Sequence, residues 1–138
     1  MTDLGIVVAE FNSGITMKMK DEAVRAAEEH GADVAGVRKV PGAYDTPLAA
    51  QEMASREGVD CVVVLGAIIK GDTDHDKVIA SSTARTLQQV SLDTSTPVAL
   101  GITGPGMTAD EARERIDYGY DAAESALEMA EAETPTAS

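Results

Sequence analysis

The chain has 138 residues, enough for one α/β domain with a substantial core and short for two. Its formal net charge of −13, from 24 acidic and 11 basic residues, argues against nucleic acid or an anionic membrane surface as a partner. Apolar residues make up 43%, yet no run approaches the ~18 consecutive positions of a membrane span and no signal-peptide pattern opens the chain, so a cytoplasmic location is expected.

The single cysteine, Cys61, lies in an apolar stretch with no partner in the chain, which leaves neither a disulfide nor a thiolate metal cluster. Aromatic residues are only 3%, and the acidic composition is read as adaptation to a high-salt cytosol. Clear strand and helix periods argue against disorder over most of the chain.

Leu4 to Ala9 reads as a first buried strand, ending in the polar turn Glu10-Phe11-Asn12-Ser13-Gly14. Phe11 is the only phenylalanine. At the carboxyl end of a parallel strand it is placed either to stack on a planar ring or to pack on a neighbouring helix or subunit. Thr16 is expected to cap the next helix, whose inward stripe is Met19, Ala23, Ala26, Ala27 and His30, with Gly31 as its stop. Asp33 to Val40 is a weaker second strand, followed by the turn Pro41-Gly42-Ala43-Tyr44-Asp45 and a second helix opening at Pro47. Leu48, Ala49, Ala50, Met53 and Ala54 should face inward. Asp45, at the helix mouth, suits either the helix dipole or ligand hydroxyls.

Cys61 to Leu65 has the unbroken β-branched character of a parallel strand covered on both faces. Gly66 and Gly71 then allow close backbone approach to a ligand, and Thr73 is expected to cap a third helix whose free N–H groups would attract an anion. His75, with an unperturbed pKa of about 6.5, is placed for proton transfer beside such a pocket. A strand, turn and capped helix with a solvated histidine is the competing structural reading. Ile79, Thr83, Leu87 and Val90 mark the inward face of this helix, and Thr96 to Ile102 is a fourth strand. Thr103-Gly104-Pro105-Gly106 reads as a turn, and Thr108 with Glu111 has capping-box spacing. Ala109, Ala112, Ile116, Gly119, Ala123, Ala126 and Ala130 predict one long final helix with a small-residue seam. Residues 1–133 form a single domain in this reading, and 134–138 a disordered tail.

Four alternations of strand and helix imply a three-layer α/β/α sandwich on a four-stranded parallel sheet with right-handed crossovers. The loops carrying Phe11, Ala43 to Asp45 and Ala67 to His75 should meet at the strands' carboxyl ends. There is no Walker-type or Gly-x-Gly-x-x-Gly loop, and no spacing of cysteines and histidines that would suit a metal.

Four segments, in order, resemble the 6,7-dimethyl-8-ribityllumazine synthase family, and the last looks most like its archaeal branch. They are Val8 to Asn12, Val40 to Leu48, Gly66 to His75, and Gly101 to Thr108 with Glu114-Arg115. The resemblance implies a flavodoxin-like fold and a cofactor-free transferase of riboflavin biosynthesis, with no metal. It would condense 5-amino-6-(D-ribitylamino)uracil with 3,4-dihydroxy-2-butanone 4-phosphate and release phosphate and water. Carried onto this sequence, Phe11 would stack on the pyrimidine. Ala43, Tyr44 and Asp45 would line the pyrimidine and ribityl site, and Ala67, Ile68 and Ile69 would form its floor. Asp72 and Thr73 would hold the phosphate, and His75 would shuttle protons. Leu100 and Arg115 would complete the pocket from a neighbouring subunit, Arg115 pairing with the phosphate. The implied assembly is a homo-oligomer built from pentamers, as decamers or icosahedral shells in some members.

The sequence departs from the family pattern at three places: Asp45 where many members have Glu, Leu100 where many have an aromatic, and Lys70 for a common arginine. After Arg115 it lacks the bacterial lysine-containing glycine-rich run. A riboflavin synthase-like enzyme of the archaeal type and a non-catalytic flavin- or lumazine-binding shell protein are the competing functions. The Gly71-Asp72-Thr73-Asp74-His75 run weighs against the first, and His75 together with Arg115 against the second.

Overall fold

The two stretches with unbroken apolar sequence are the two strands at the centre of the sheet. In a computed structural model, which describes residues 1–132, strands β1 (Asp3–Ala9), β2 (Asp33–Val40), β3 (Cys61–Ile69) and β4 (Val98–Met107) form one parallel sheet in the order β2-β1-β3-β4. β1 and β3 are buried along almost their whole length, whereas β2 and β4 form the edges and are largely half-exposed. This is why the two outer strands carry the weaker sequence signal.

Successive residues of the central strands feed two separate cores, as the two-residue period of a strand requires. Leu4, Ile6 and Val8 of β1 and Cys61, Val63, Leu65 and Ala67 of β3 pack against α1 (Ser13–Glu29) and α5 (Tyr118–Glu131). Val7, Ala9, Val62 and Val64 pack on the opposite face against α2 (Thr46–Ala54) and α3 (His75–Thr94). The result is a three-layer α/β/α sandwich. Burial pushes the Cys61 thiol up to about 12, so it is a packing group here and not a nucleophile. No helix of the described residues is long and apolar enough to cross a membrane.

The structure corrects the sequence reading at several points. α1 begins at Ser13 with Asn12 as its cap residue, and Thr16 lies fully buried inside the helix. Leu48 points outward at 65% exposure, while Ala49, Ala50, Met53 and Ala54 face the core. Asp74, not Thr73, takes the capping position of α3, and the Thr73 hydroxyl accepts from the His75 N–H at 3.4 Å.

β4 does not stop at Ile102. Thr103 pairs with Ala67 and Met107 with Ile69, so Gly104, Pro105 and Gly106 bulge out opposite Ile68 alone before pairing resumes. Gly104 has φ +105, and a Cβ there would collide with the Ile68 carbonyl, so turn-forming residues sit inside a strand. The expected single final helix is two: α4 (Ala109–Arg113) and α5, broken at Glu114–Asp117. Ile116 and Asp117, which fall in the break, are weaker helix formers than the alanines on either side. The seam still packs on both sides of it, with Ala112, Gly119, Ala123 and Ala126 buried. The expected tail, residues 134–138, lies outside the described residues.

Candidate active site

In this strand order β1 and β3 are neighbours whose chains leave the sheet toward opposite layers, α1 to one side and α3 to the other. The crevice between their carboxyl ends is where open α/β sheets bind ligands. A cavity of about 230 Å³ opens there, lined by Phe11, Asn12, Gly42, Ala43, Tyr44, Asp45, Ala67, Ile68, Ile69 and Ile79. Three loops build it, and backbone hydrogen bonds fix them to one another. The Phe11 N–H donates to the Pro41 carbonyl at 2.8 Å and the Glu10 N–H to the Val40 carbonyl at 2.7 Å. The Asn12 side-chain amide donates to the Ala67 carbonyl at 3.1 Å.

Asn12 makes that bond from a left-handed backbone with φ 65, a conformation asparagine tolerates better than most residues. It thus starts α1 and ties the Phe11 loop to the end of β3. Phe11 itself is 65% exposed where it lines the cavity. Its ring edge lies over Gly42, where a Cβ would come within 2.7 Å of the ring.

Ala43–Asp45 form a short 3-10 turn. The Thr46 hydroxyl donates to the Ala43 carbonyl at 2.7 Å, and the Gly42 N–H donates to Asp45 Oδ2 at 3.0 Å. The second bond fixes the carboxylate at the mouth of the cavity. Asp45 makes no cap bond to α2, and it is exposed where it lines the cavity. Tyr44 is exposed beside it, and a second groove of about 380 Å³ continues from Tyr44 and Asp45 toward Ser82 and Thr86 of α3.

His75 does not line the cavity. It is the first residue of α3, exposed, and one helical turn before Ile79, which does line it. Asp72 and Thr73 are exposed in the loop leading to it. Asp74 pairs with Lys77 at 3.5 Å, an exposed contact of small energetic weight.

Two expected site residues lie elsewhere. Leu100 is 51% exposed on the edge strand and lines a different groove, between β4 and α5, together with Pro97, Ala122 and Met129. Arg115 sits in the turn between α4 and α5, where its guanidinium donates to the Glu111 carbonyl at 2.9 Å. The Glu111 carboxyl is held below its ordinary range, first by the Thr108 backbone N–H and its hydroxyl and then by the charges of Arg115 and Lys70.

Sequence reasoning passed over Asn12, Gly42 and Ile79 as lining residues and took Asp76 only as an acidic neighbour of His75. Asparagine at a strand-to-helix turn is the signal available for the first. Ile79 stood in the helix stripe, and its spacing of four from His75 was the usable clue.

The family model described as 6,7-dimethyl-8-ribityllumazine synthase matches residues 2–134. A protein of that name from Halorubrum lacusprofundi is 56% identical over 131 residues, which cover 95% of this chain and 98% of its own. One from Halobacterium salinarum is 54% identical over 129 residues, 94% of this chain and 97% of its own. One from Metallosphaera sedula is 52% identical over 128 residues, 92% and 85% of the two chains. With both the cavity at the sheet's carboxyl edge and this agreement along nearly the whole sequence, the chain belongs to the 6,7-dimethyl-8-ribityllumazine synthase family.

Proposed function

We propose that the protein condenses 5-amino-6-(D-ribitylamino)uracil with 3,4-dihydroxy-2-butanone 4-phosphate to give 6,7-dimethyl-8-ribityllumazine, phosphate and water. The observation that carries this is a cavity at the sheet's carboxyl edge with two exposed aromatic rings, Phe11 and Tyr44, and one fixed carboxylate, in a chain of this family. The Phe11 face stacks on the pyrimidine, and Ala67, Ile68 and Ile69 floor it. The Ala43 and Tyr44 backbone and the Asp45 carboxylate bind the ribityl hydroxyls. Asp72 and Thr73 receive the phosphate through N–H groups and the Thr73 hydroxyl.

The reaction needs little beyond proximity and proton movement. The pyrimidine's 5-amino group attacks the ketone and water leaves to give an imine. Loss of a proton next to the imine then expels phosphate. The enol left by that elimination tautomerises to a ketone, on which the ribityl-bearing nitrogen closes, and a second water leaves. His75, at the start of α3, accepts and returns the protons of these steps, a contribution worth about 10²- to 10⁴-fold. Holding both reactants in contact supplies much of the rest.

Leu100 and Arg115 do not line the cavity of a single chain. This supports an assembly in which a neighbouring copy supplies both, Arg115 facing the phosphate, within pentamers. The relatives from Halorubrum and Halobacterium, together with the net charge of −13, support a protein that works in a salt-rich cytoplasm. The test is to mix purified protein with both substrates and follow lumazine fluorescence and inorganic phosphate. One phosphate per lumazine is expected. No product from an assembled preparation would overturn the reading.

A further inference from the structure

Asp76 is the one charged residue that is buried among the described residues, at 6% exposure, and it takes part in no ion pair there. Its carboxylate Oδ2 accepts from the Gly106 N–H at 2.8 Å, across thirty positions of sequence. Gly106 belongs to the bulge of β4 and has φ +77, which aims its N–H out of the ladder and toward α3. The next residue, Met107, accepts from the Lys70 N–H at 2.7 Å through its carbonyl. Lys70 and Asp76 bracket the segment Gly71–His75. That short loop is therefore fastened at both ends to two successive residues of one neighbouring strand.

A buried carboxylate without a cation is costly, and a core position of that kind would ordinarily carry an apolar residue. Here it lies in the first turn of α3, where the helix dipole favours a negative charge, and its hydrogen bond has a charged acceptor, which makes it stronger than a neutral one. Neither effect requires tying the helix to the bulge. The tie does matter for the loop: Asp72 and Thr73 are exposed and, among the described residues, make no hydrogen bond other than the local Thr73 contact to His75. Their position relative to the cavity is set by the two ends alone.

We propose that Asp76 is a positioning residue for the phosphate-bearing substrate. By holding Gly106 it fixes the far end of the Gly71–His75 loop, so that the loop's N–H groups and the His75 imidazole stand at the rim of the cavity before substrate arrives. This deepens the lumazine-forming reading and rests on it. The pyrimidine side of the cavity, fastened through Pro41, Gly42 and Ala67, does not depend on Asp76.

The test is a split in kinetic constants, with Asp76→Ala and Asp76→Asn compared to the unaltered protein. Loss of a hydrogen bond to a charged group should raise KM for the butanone phosphate about tenfold, while KM for the pyrimidine moves less than about twofold. Asparagine keeps an acceptor oxygen for Gly106 and should stay within about threefold of the unaltered protein for both substrates. Equal changes in both KM values, no change in either, or an asparagine variant as impaired as the alanine one would each overturn the proposal. If the alanine variant does not fold, Asp76→Glu carries the test, since it keeps the charge but displaces the acceptor by one methylene. A rise confined to the phosphate substrate supports the proposal, and an unselective or absent rise overturns it. Lack of product from the unaltered protein would instead overturn the reading of the reaction and this inference with it.

Discussion

An aromatic ring left in water at the end of a strand has a cost, and Phe11 is held there by contacts that serve no core. Its backbone is tied to Pro41, its neighbour Asn12 to Ala67, and its ring edge rests on the bare backbone of Gly42. Stacking of a base on an aromatic side chain is worth about 1–3 kcal/mol, so Phe11→Ala should raise KM for the pyrimidine substrate about 5- to 150-fold and leave thermal stability nearly unchanged. Gly42→Ala should give a milder form of the same defect. The added methyl would meet the Phe11 ring at 2.7 Å, and the exposed ring is free to swing away, so the fold survives while the stacking face is displaced. KM for both substrates and melting curves on the two variants check this; a Gly42→Ala protein with normal pyrimidine KM would mean that the ring is not positioned through Gly42. Phe11 was legible in the sequence because a lone aromatic at the end of an apolar strand is conspicuous. Asp76 was not, because an aspartate next to a helix start reads as one more solvated acid in a chain that has many.

Elements were legible where burial was uniform and illegible where the backbone changed its habit without a change in composition. β1 and β3, covered on both faces, showed as unbroken apolar runs, and the end of α1 showed in Gly31, whose φ of +68 provides the left-handed stop. The bulge in β4 was hidden because Gly104-Pro105-Gly106 has the chemistry of a turn and only the register with β3 reveals that pairing resumes at Met107. The split between α4 and α5 was hidden because both helices continue one small-residue seam.

Gly119, near the start of α5, packs on the Met19 carbonyl of α1, and that contact is to backbone, which cannot rotate away. Gly119→Ala should destabilise the protein by about 1–3 kcal/mol in denaturant unfolding, an overpacking cost. An unchanged midpoint would mean that α5 stands farther from α1 than this contact requires.

At the start of α4, Thr108 and Glu111 satisfy each other's N–H groups at 3.1 and 3.2 Å. Because the folded-state carboxyl of Glu111 lies below its unfolded value of about 4.3, the bond's contribution is complete above that pH and is lost as pH falls through the lower folded value. Protection of the Thr108 amide, its exchange rate set against the intrinsic rate at each pH, should therefore fall on acidification below the unfolded value in the unaltered protein and stay flat in Glu111→Gln, whose side chain keeps an acceptor that does not titrate.

At the scale of the whole molecule the two competing demands are charge and completeness of the site. Subunits carrying −13 each must approach closely if Leu100 and Arg115 of one copy are to close the cavity of another. Their repulsion reaches over a Debye length of about 8 Å at 0.15 M salt but only about 3 Å at 1 M, so low salt should separate the copies. Under the proposed shared site, a lone copy carries Phe11, Asp45 and His75 for one site and Leu100 and Arg115 for another, and no whole one. Activity and assembled fraction should then fall together across a KCl series, read by lumazine formation and light scattering on the same samples. Mixed assemblies separate this from a simple salt effect on chemistry. His75→Ala and Arg115→Ala subunits, each impaired alone, should regain activity when dissociated together at low salt and reassembled at high salt, because some interfaces then join an intact His75 to an intact Arg115. Full activity in a preparation that scatters as a single copy, or no recovery in mixed assemblies that have demonstrably formed, would remove the shared site and the role of Arg115 with it.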